Sequence, residues 1–306
     1  MFGALPSKVT VVEVGPRDGL QSEPEVVSTQ TKIGLIDRLS EAGYRHIEVT
    51  SFVNPRWVPQ LADARAVAEG IQRRPGVTYS ALVPNMRGLE GALETAIDEV
   101  VVFAAASETF SRKNTNRGVA DSLKDYAAVV GAARAAGKPV RGYVSTVWGC
   151  PYEGPVDAAR VREVALELLR MGCYQVSLGD TIGAATPGHV QEVVSLLRKD
   201  MSEPQIALHF HDTRGMGMAN VLAGLDMGIT TYDSSLGGLG GCPYAPGATG
   251  NIASEDLLYM LAEMGIETGI DLEKVITASR FMSEALHREL PSRYLRAYLA
   301  TACRHV

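Results

Sequence analysis

The chain has 306 residues, 46% of them hydrophobic and 21% charged, with a mean hydropathy of +0.02. That composition can bury a full core and excludes a disordered or collagen-like chain. A net charge of −6 gives no electrostatic basis for binding nucleic acid or anionic lipid. Four cysteines are too few for a disulfide scaffold, and no uninterrupted apolar stretch is long enough to span a membrane. Met1 to Lys8 lacks the apolar core of a signal peptide, so the expectation is a cytoplasmic protein with reduced thiols.

Strand and helix patterns alternate along the chain. Val9 to Val14 is a β-branched run ended by Gly15-Pro16, and Thr29 to Ala42 carries a helical apolar stripe closed by Gly43. Ile47 to Val49 is a second strand, followed by a helix around Leu61 to Ile71. Val77 to Val83 is a third, with a helix near Leu89 to Ala96. Glu99 to Ala104 is almost wholly apolar, as in a strand covered on both faces, and leads through a polar loop (Ser107 to Arg117) to a helix over Ala120 to Ala136. Val140 to Val147 and Tyr174 to Leu178 are the next strands, with helices over Val156 to Met171 and His189 to Lys199. Gln205 to His209 and Thr230 to Ser234 complete the strands, with helices near Met218 to Met227 and Ile252 to Met264.

Eight strand-then-helix units without a strong linker predict one catalytic domain over 1–306. It is a (β/α)8 TIM barrel over about 9–265 with extra C-terminal helices over about 266–306. An open doubly wound sheet is the structural alternative.

In such a barrel the chemistry sits at the C-terminal ends of the strands. The first strand leads to Arg17, Asp18 and Gln21, and the second carries Glu48. The sixth ends in Asp180-Thr181, the seventh in His209-Phe210-His211, and the loop after the eighth carries Cys242 and then Asn251. His209 and His211, two apart on a strand, point the same way and can hold one ion with Asp18. Carboxylate, imidazole and amide donors suit a six-coordinate divalent ion, Mg2+ or Mn2+, better than structural zinc. The other four histidines are expected on solvated surface. The glycines of 236–241 suit a mobile lid that carries the Cys242 thiol over the site. Cys150 and Cys173 read as packing residues.

Four segments resemble the 3-hydroxy-3-methylglutaryl-CoA lyase family. They are Glu13 to Gln21; Thr50 to Val53 with Trp57 to Gln60; Val176 to Gly183; and Gly238 to Ala245, whose Gly-Gly-Cys-Pro-Tyr run is the specific one. The resemblance implies that Asp18, His209, His211 and Asn251 hold the metal, and that Arg17 faces the thioester oxygen. It gives Cys242 the loop thiol and makes Glu48 and Asp180 polar partners, with Gln21 and Thr181 on the substrate. The implied reaction is a retro-Claisen cleavage of an acyl-CoA in a homodimer. Asp18 or His209 takes the hydroxyl proton, and Cys242 gives one to the enolate carbon. Cys303 falls where some members place a redox-regulatory cysteine. Arg112, Lys113 and Arg141 are basic candidates for CoA contact. Three alternatives remain on sequence grounds. They are a lyase for longer-branched 3-hydroxyglutaryl-CoA esters, a condensing synthase of the isopropylmalate or homocitrate type, and an inactive barrel that only binds CoA esters.

Overall fold

The structure, a computed structural model, describes residues 3, 5–241 and 250–302. Eight parallel strands close into a barrel in sequence order: β1 (Thr10–Glu13), β2 (His46–Ser51), β3 (Thr78–Leu82), β4 (Glu99–Ala105), β5 (Val140–Ser145), β6 (Gln175–Asp180), β7 (Ile206–Phe210) and β8 (Thr231–Ser234). Pairing of β1 with both β2 and β8 shuts the ring. This is the TIM barrel that the alternation predicts, and the open sheet is excluded.

The helices cover the barrel outside: α1 (Thr29–Glu41), α2 (Ala64–Gly70), α3 (Met86–Leu93), α4 (Glu108–Thr115), α5 (Val119–Ala135), α6 (Ala158–Met171), α7 (Pro187–Leu197), α8 (Gly217–Asp226) and α9 (Ser254–Glu263). Two more, α10 (Leu272–Ala285) and α11 (Arg293–Ala302), pack against α1 and α9. Their boundaries have local causes. In α6, Asp157 accepts the Ala159 N–H at the start, the buried stripe Val161, Val164, Ala165 and Leu168 faces the strands, and Gly172 ends the helix at φ 110°. No helix among the described residues is long and apolar enough to cross a membrane.

One segment differs from its pattern. Residues 107–117 read as a polar loop, yet 108–115 form α4, started by Ser107 Oγ accepting the Phe110 N–H at 3.1 Å. The helix buries only Phe110 and Ser111, so no apolar stripe announces it.

The main core lies between strands and helices. Inside the barrel, Leu82, Val101 and Tyr143 make a small apolar cluster with Phe103. Beside it stand buried polar side chains from five strands: Glu48, Arg141, Ser177, His209 and Asp233. A barrel interior filled by such groups rather than by branched aliphatics is a departure that needs a chemical reason.

Candidate active site

The site begins where β1 ends. Residues 15–19 coil into a single π-helical turn in which the Val14 carbonyl accepts the N–H groups of Arg17, Asp18 and Gly19. That turn sets Arg17 and Asp18 side by side on a cavity of about 1000 Å3 at the C-terminal mouth. Gln21, Thr181, His209 and His211 also line it.

His209 is the penultimate residue of β7 and His211 follows the strand, with ring centroids 5.3 Å apart. Ligand atoms of Asp18, His209 and His211 all lie within 4.8 Å of one another. Asn251, paired with His211 across an isolated bridge, donates its Nδ2 to Asp18 Oδ2 at 2.9 Å. Gly240, at φ 116°, makes room for that amide: a Cβ there would stand 2.6 Å from Asn251 Nδ2.

These residues fit a divalent cation. His211 Nδ1 and Asn251 Oδ1 are buried and, among the described residues, have no hydrogen-bond partner. Buried acceptors of that kind are costly unless something donates to them or coordinates them. Burial and then the neighbouring His209 charge bring the His211 pKa down to about 4, so its imidazole is neutral and ready to ligate. Burial works to raise the Asp18 pKa, but the Arg17 guanidinium and then the two imidazoles outweigh it and hold it at about 2. Asp18 is therefore an anion at any physiological pH.

Arg17 is 6% exposed. Its Nε donates to Glu48 Oε1, and its Nη1 donates to Asp18 Oδ1 at 2.6 Å. Burial opposes its charge, but Glu48 and Asp18 outweigh that and raise its pKa. The network continues inward. Tyr143 OH donates to Glu48 Oε2 at 2.8 Å and accepts from Arg141 Nη1 at 3.0 Å. Arg141 Nη2 donates to Asp233 Oδ1 at 2.7 Å, and Asp233 Oδ2 faces His209 Nδ1 at 3.3 Å. His209 Nε2 returns to Asp18 Oδ2 at 3.9 Å, so the chain of polar contacts closes on itself. With His209 neutral, the ring sets three carboxylates (Asp18, Glu48, Asp233) against two guanidiniums (Arg17, Arg141), an anionic excess that a bound cation or a proton on His209 would balance.

Of the residues picked from the sequence, Arg17, Asp18, Glu48, His209, His211 and Asn251 come together here. Thr181 lines the cavity and accepts the Thr146 N–H through Oγ1 at 2.8 Å. Asp180 is placed differently: its two oxygens accept the N–H groups of Ala184 and Ala185 at 2.8 and 3.0 Å. It shapes the loop after β6 and is not among the cavity-lining residues. Burial, against those two hydrogen bonds, pushes its pKa up to about 6. Cys242 and Cys303 lie outside the described residues.

Two assignments need correction. Arg141, a CoA candidate by charge, is 2% exposed inside the barrel and belongs to the polar ring. Of the two remaining basic candidates, Lys113 lines the cavity, whereas Arg112 pairs with Glu108 at 2.7 Å. His46, expected in solvent, is half-buried at the start of β2.

Sequence reasoning passed over Tyr143, Ser177 and Asp233. Their signal was a polar or charged side chain in the middle of a strand that both layers cover, which must be paired to be buried there. It also passed over Ser51. The register of β2 against β3 shifts between Glu48 and Thr50, and beyond that irregularity Ser51 stands on the cavity wall with its hydroxyl buried and unpartnered among the described residues.

Comparison with known proteins places the chain in a family. Residues 8–282 match the HMGL-like family. The chain is 52% identical over 301 residues to the mitochondrial hydroxymethylglutaryl-CoA lyase of Gallus gallus, covering 98% of this chain and 100% of that one. It is 51% identical over 298 residues to the 3-hydroxy-3-isohexenylglutaryl-CoA/hydroxymethylglutaryl-CoA lyase of Pseudomonas aeruginosa, covering 97% and 99%. A crystal structure of hydroxymethylglutaryl-CoA lyase from Pseudomonas aeruginosa superposes with a TM-score of 0.95 at 51% identity, covering 97% of this chain and 99% of that one.

Proposed function

Because the chain belongs to the HMGL-like family of hydroxymethylglutaryl-CoA lyases, we propose that it cleaves 3-hydroxy-3-methylglutaryl-CoA to acetyl-CoA and acetoacetate. The observation that carries this reading is the convergence of Arg17, Asp18, His209 and His211 on one cavity at the mouth of the barrel.

Asp18, His209, His211 and Asn251 would hold a divalent ion, Mg2+ or Mn2+. When bound, such an ion supplies Lewis acidity toward hydroxyl and carboxylate oxygens. The chain's own groups do the rest. Asp18 and His209 are the two bases of the cluster, and one of them takes the proton of the substrate's tertiary hydroxyl. The carbon–carbon bond then breaks: the alkoxide carbon becomes the ketone of acetoacetate, and the bonding pair moves into the thioester enolate. Arg17, pinned by Glu48 and Asp18, presents a fixed buried cation to the oxygen on which that charge grows. Cys242 hands its thiol proton to the enolate carbon and regains one from solvent. Gln21 and Thr181 on the cavity wall contact the acyl group, and Asp180 supports Thr181 through the loop it shapes. The assembly we propose is a cytoplasmic homodimer.

The test is acetoacetate release from 3-hydroxy-3-methylglutaryl-CoA by enzyme stripped with EDTA and then resupplied with Mg2+ or Mn2+. Release that stops on stripping and returns with metal supports the reading; metal-independent release overturns the metal's part in it. A second substrate is favoured by one observation. The cavity wall also carries Leu82, Phe103, Phe110 and Val144, an apolar surface suited to a longer branch at C3. Cleavage of 3-hydroxy-3-isohexenylglutaryl-CoA by the same preparation is the corresponding measurement.

A further inference from the structure

The register of β7 against β8 sets Asp233 beside His209. Asp233 is 1% exposed, and its two oxygens meet three partners. Arg141 Nη2 donates to Oδ1 at 2.7 Å, Ser177 Oγ donates to Oδ2 at 2.7 Å, and His209 Nδ1 lies 3.3 Å from Oδ2. His209 Nε2 points the other way, 3.9 Å from Asp18 Oδ2. An imidazole between two carboxylates has a choice of tautomer, and only one leaves a lone pair on the cavity side.

The surroundings of Asp233 settle that choice. Arg141 Nη2 donates to its Oδ1 and Ser177 Oγ donates to its Oδ2, so both oxygens are already committed as acceptors. Asp233 is thus an acceptor only, so the atom facing it, Nδ1, must carry the hydrogen. Arg141 is itself immobilised, because Nε and Nη1 donate to Gln175 Oε1 at 2.9 Å and Tyr143 OH at 3.0 Å.

We propose that Asp233, held by Arg141 and Ser177, is the positioning residue that fixes His209 as the Nδ1–H tautomer, with its Nε2 lone pair turned to the metal cluster. The inference rests on His209 acting at that cluster, and it names the carboxylate that works through the imidazole.

Wild-type enzyme labelled with 15N-histidine tests it without any substitution. In metal-stripped enzyme at alkaline pH, and again with Mg2+ bound, His209 should carry its ring proton on Nδ1 and none on Nε2. An Nε2–H tautomer overturns the proposal, whether or not any variant folds. Asp233→Asn then gives the energetic readout. Its Mg2+ affinity by calorimetry should fall about 10- to 100-fold, as for loss of a carboxylate behind a ligating histidine, while far-UV circular dichroism stays native. Native fold with unchanged Mg2+ affinity overturns the proposal. The two readings fail separately. Wild-type Mg2+ affinity in His209→Ala removes the ligand assignment, whereas affinity lost in His209→Ala but kept in Asp233→Asn removes only the role of Asp233.

Discussion

Replacing Glu48 by Gln probes how the buried Arg17 cation is held. Glu48 is fully buried and accepts from two groups at once, Arg17 Nε on Oε1 and Tyr143 OH on Oε2 at 2.8 Å. Glutamine keeps the volume and one acceptor but leaves Arg17 with only Asp18 as a counter-charge. Removing one partner of a buried pair costs roughly 3–5 kcal/mol, and the retained acceptor places this change near the lower end. At about 2 °C per kcal/mol for a chain of this size, Tm should fall by about 6 °C. Activity should fall further than stability suggests, because a cation no longer fixed toward the developing charge loses about 100-fold in kcat. Thermal unfolding followed by circular dichroism and steady-state acetoacetate release give the two numbers. A Tm within about 1 °C of wild type, with kcat within about threefold, would refute the reasoning, since neither the buried pair nor the fixed orientation would then carry energy.

Three other outcomes are expected. Cys242→Ser should keep metal and substrate binding yet lose most turnover, and near-normal kcat would remove the thiol from the chemistry. His209→Ala should weaken metal affinity together with activity, read by calorimetric titration of the stripped enzyme. The third concerns pH and the root of the glycine-rich loop. Glu13 accepts the Leu236 N–H at 2.8 Å, and Glu255 accepts the Gly237 N–H at 2.9 and 3.0 Å. Burial, against those hydrogen bonds, raises both carboxyls from 4.5 to about 7. With the folded pKa above the unfolded one, their stabilising contribution is complete below pH 4.5 and is lost as pH rises through about 7. Glu255→Gln should therefore flatten the fall in Tm between those values; an unchanged slope would show that Glu255 does not titrate there.

The barrel was legible because its strands are β-branched runs covered on both faces, as Glu99–Ala105 shows, and because the intervening helices carry apolar stripes. Helix α4 was not, since it buries two side chains and borrows its stability from a Ser107 cap rather than from a hydrophobic face. At the site, Arg17, Asp18, His209 and His211 were readable from their place at strand ends. Asp180 sits at a strand end too, but its carboxylate is engaged by backbone N–H groups, and position alone does not distinguish the two uses. Tyr143 and Asp233 escaped notice, and Arg141 was assigned to CoA, for the opposite reason. They sit within strands, and what they do is set by partners on β2, β5, β7 and β8 that only barrel closure brings together. A charge inside a run such as Val140 to Ser145 is the sequence trace of such a network.

Product analysis in D2O tests the central claim most directly. Metal-dependent retro-Claisen cleavage predicts acetoacetate and acetyl-CoA in equal amounts. The acetyl methyl should carry one deuterium, taken up when the enolate carbon is protonated from an exchanged thiol. Acetyl-CoA without that deuterium, or thioester consumed without matching acetoacetate, would contradict the account.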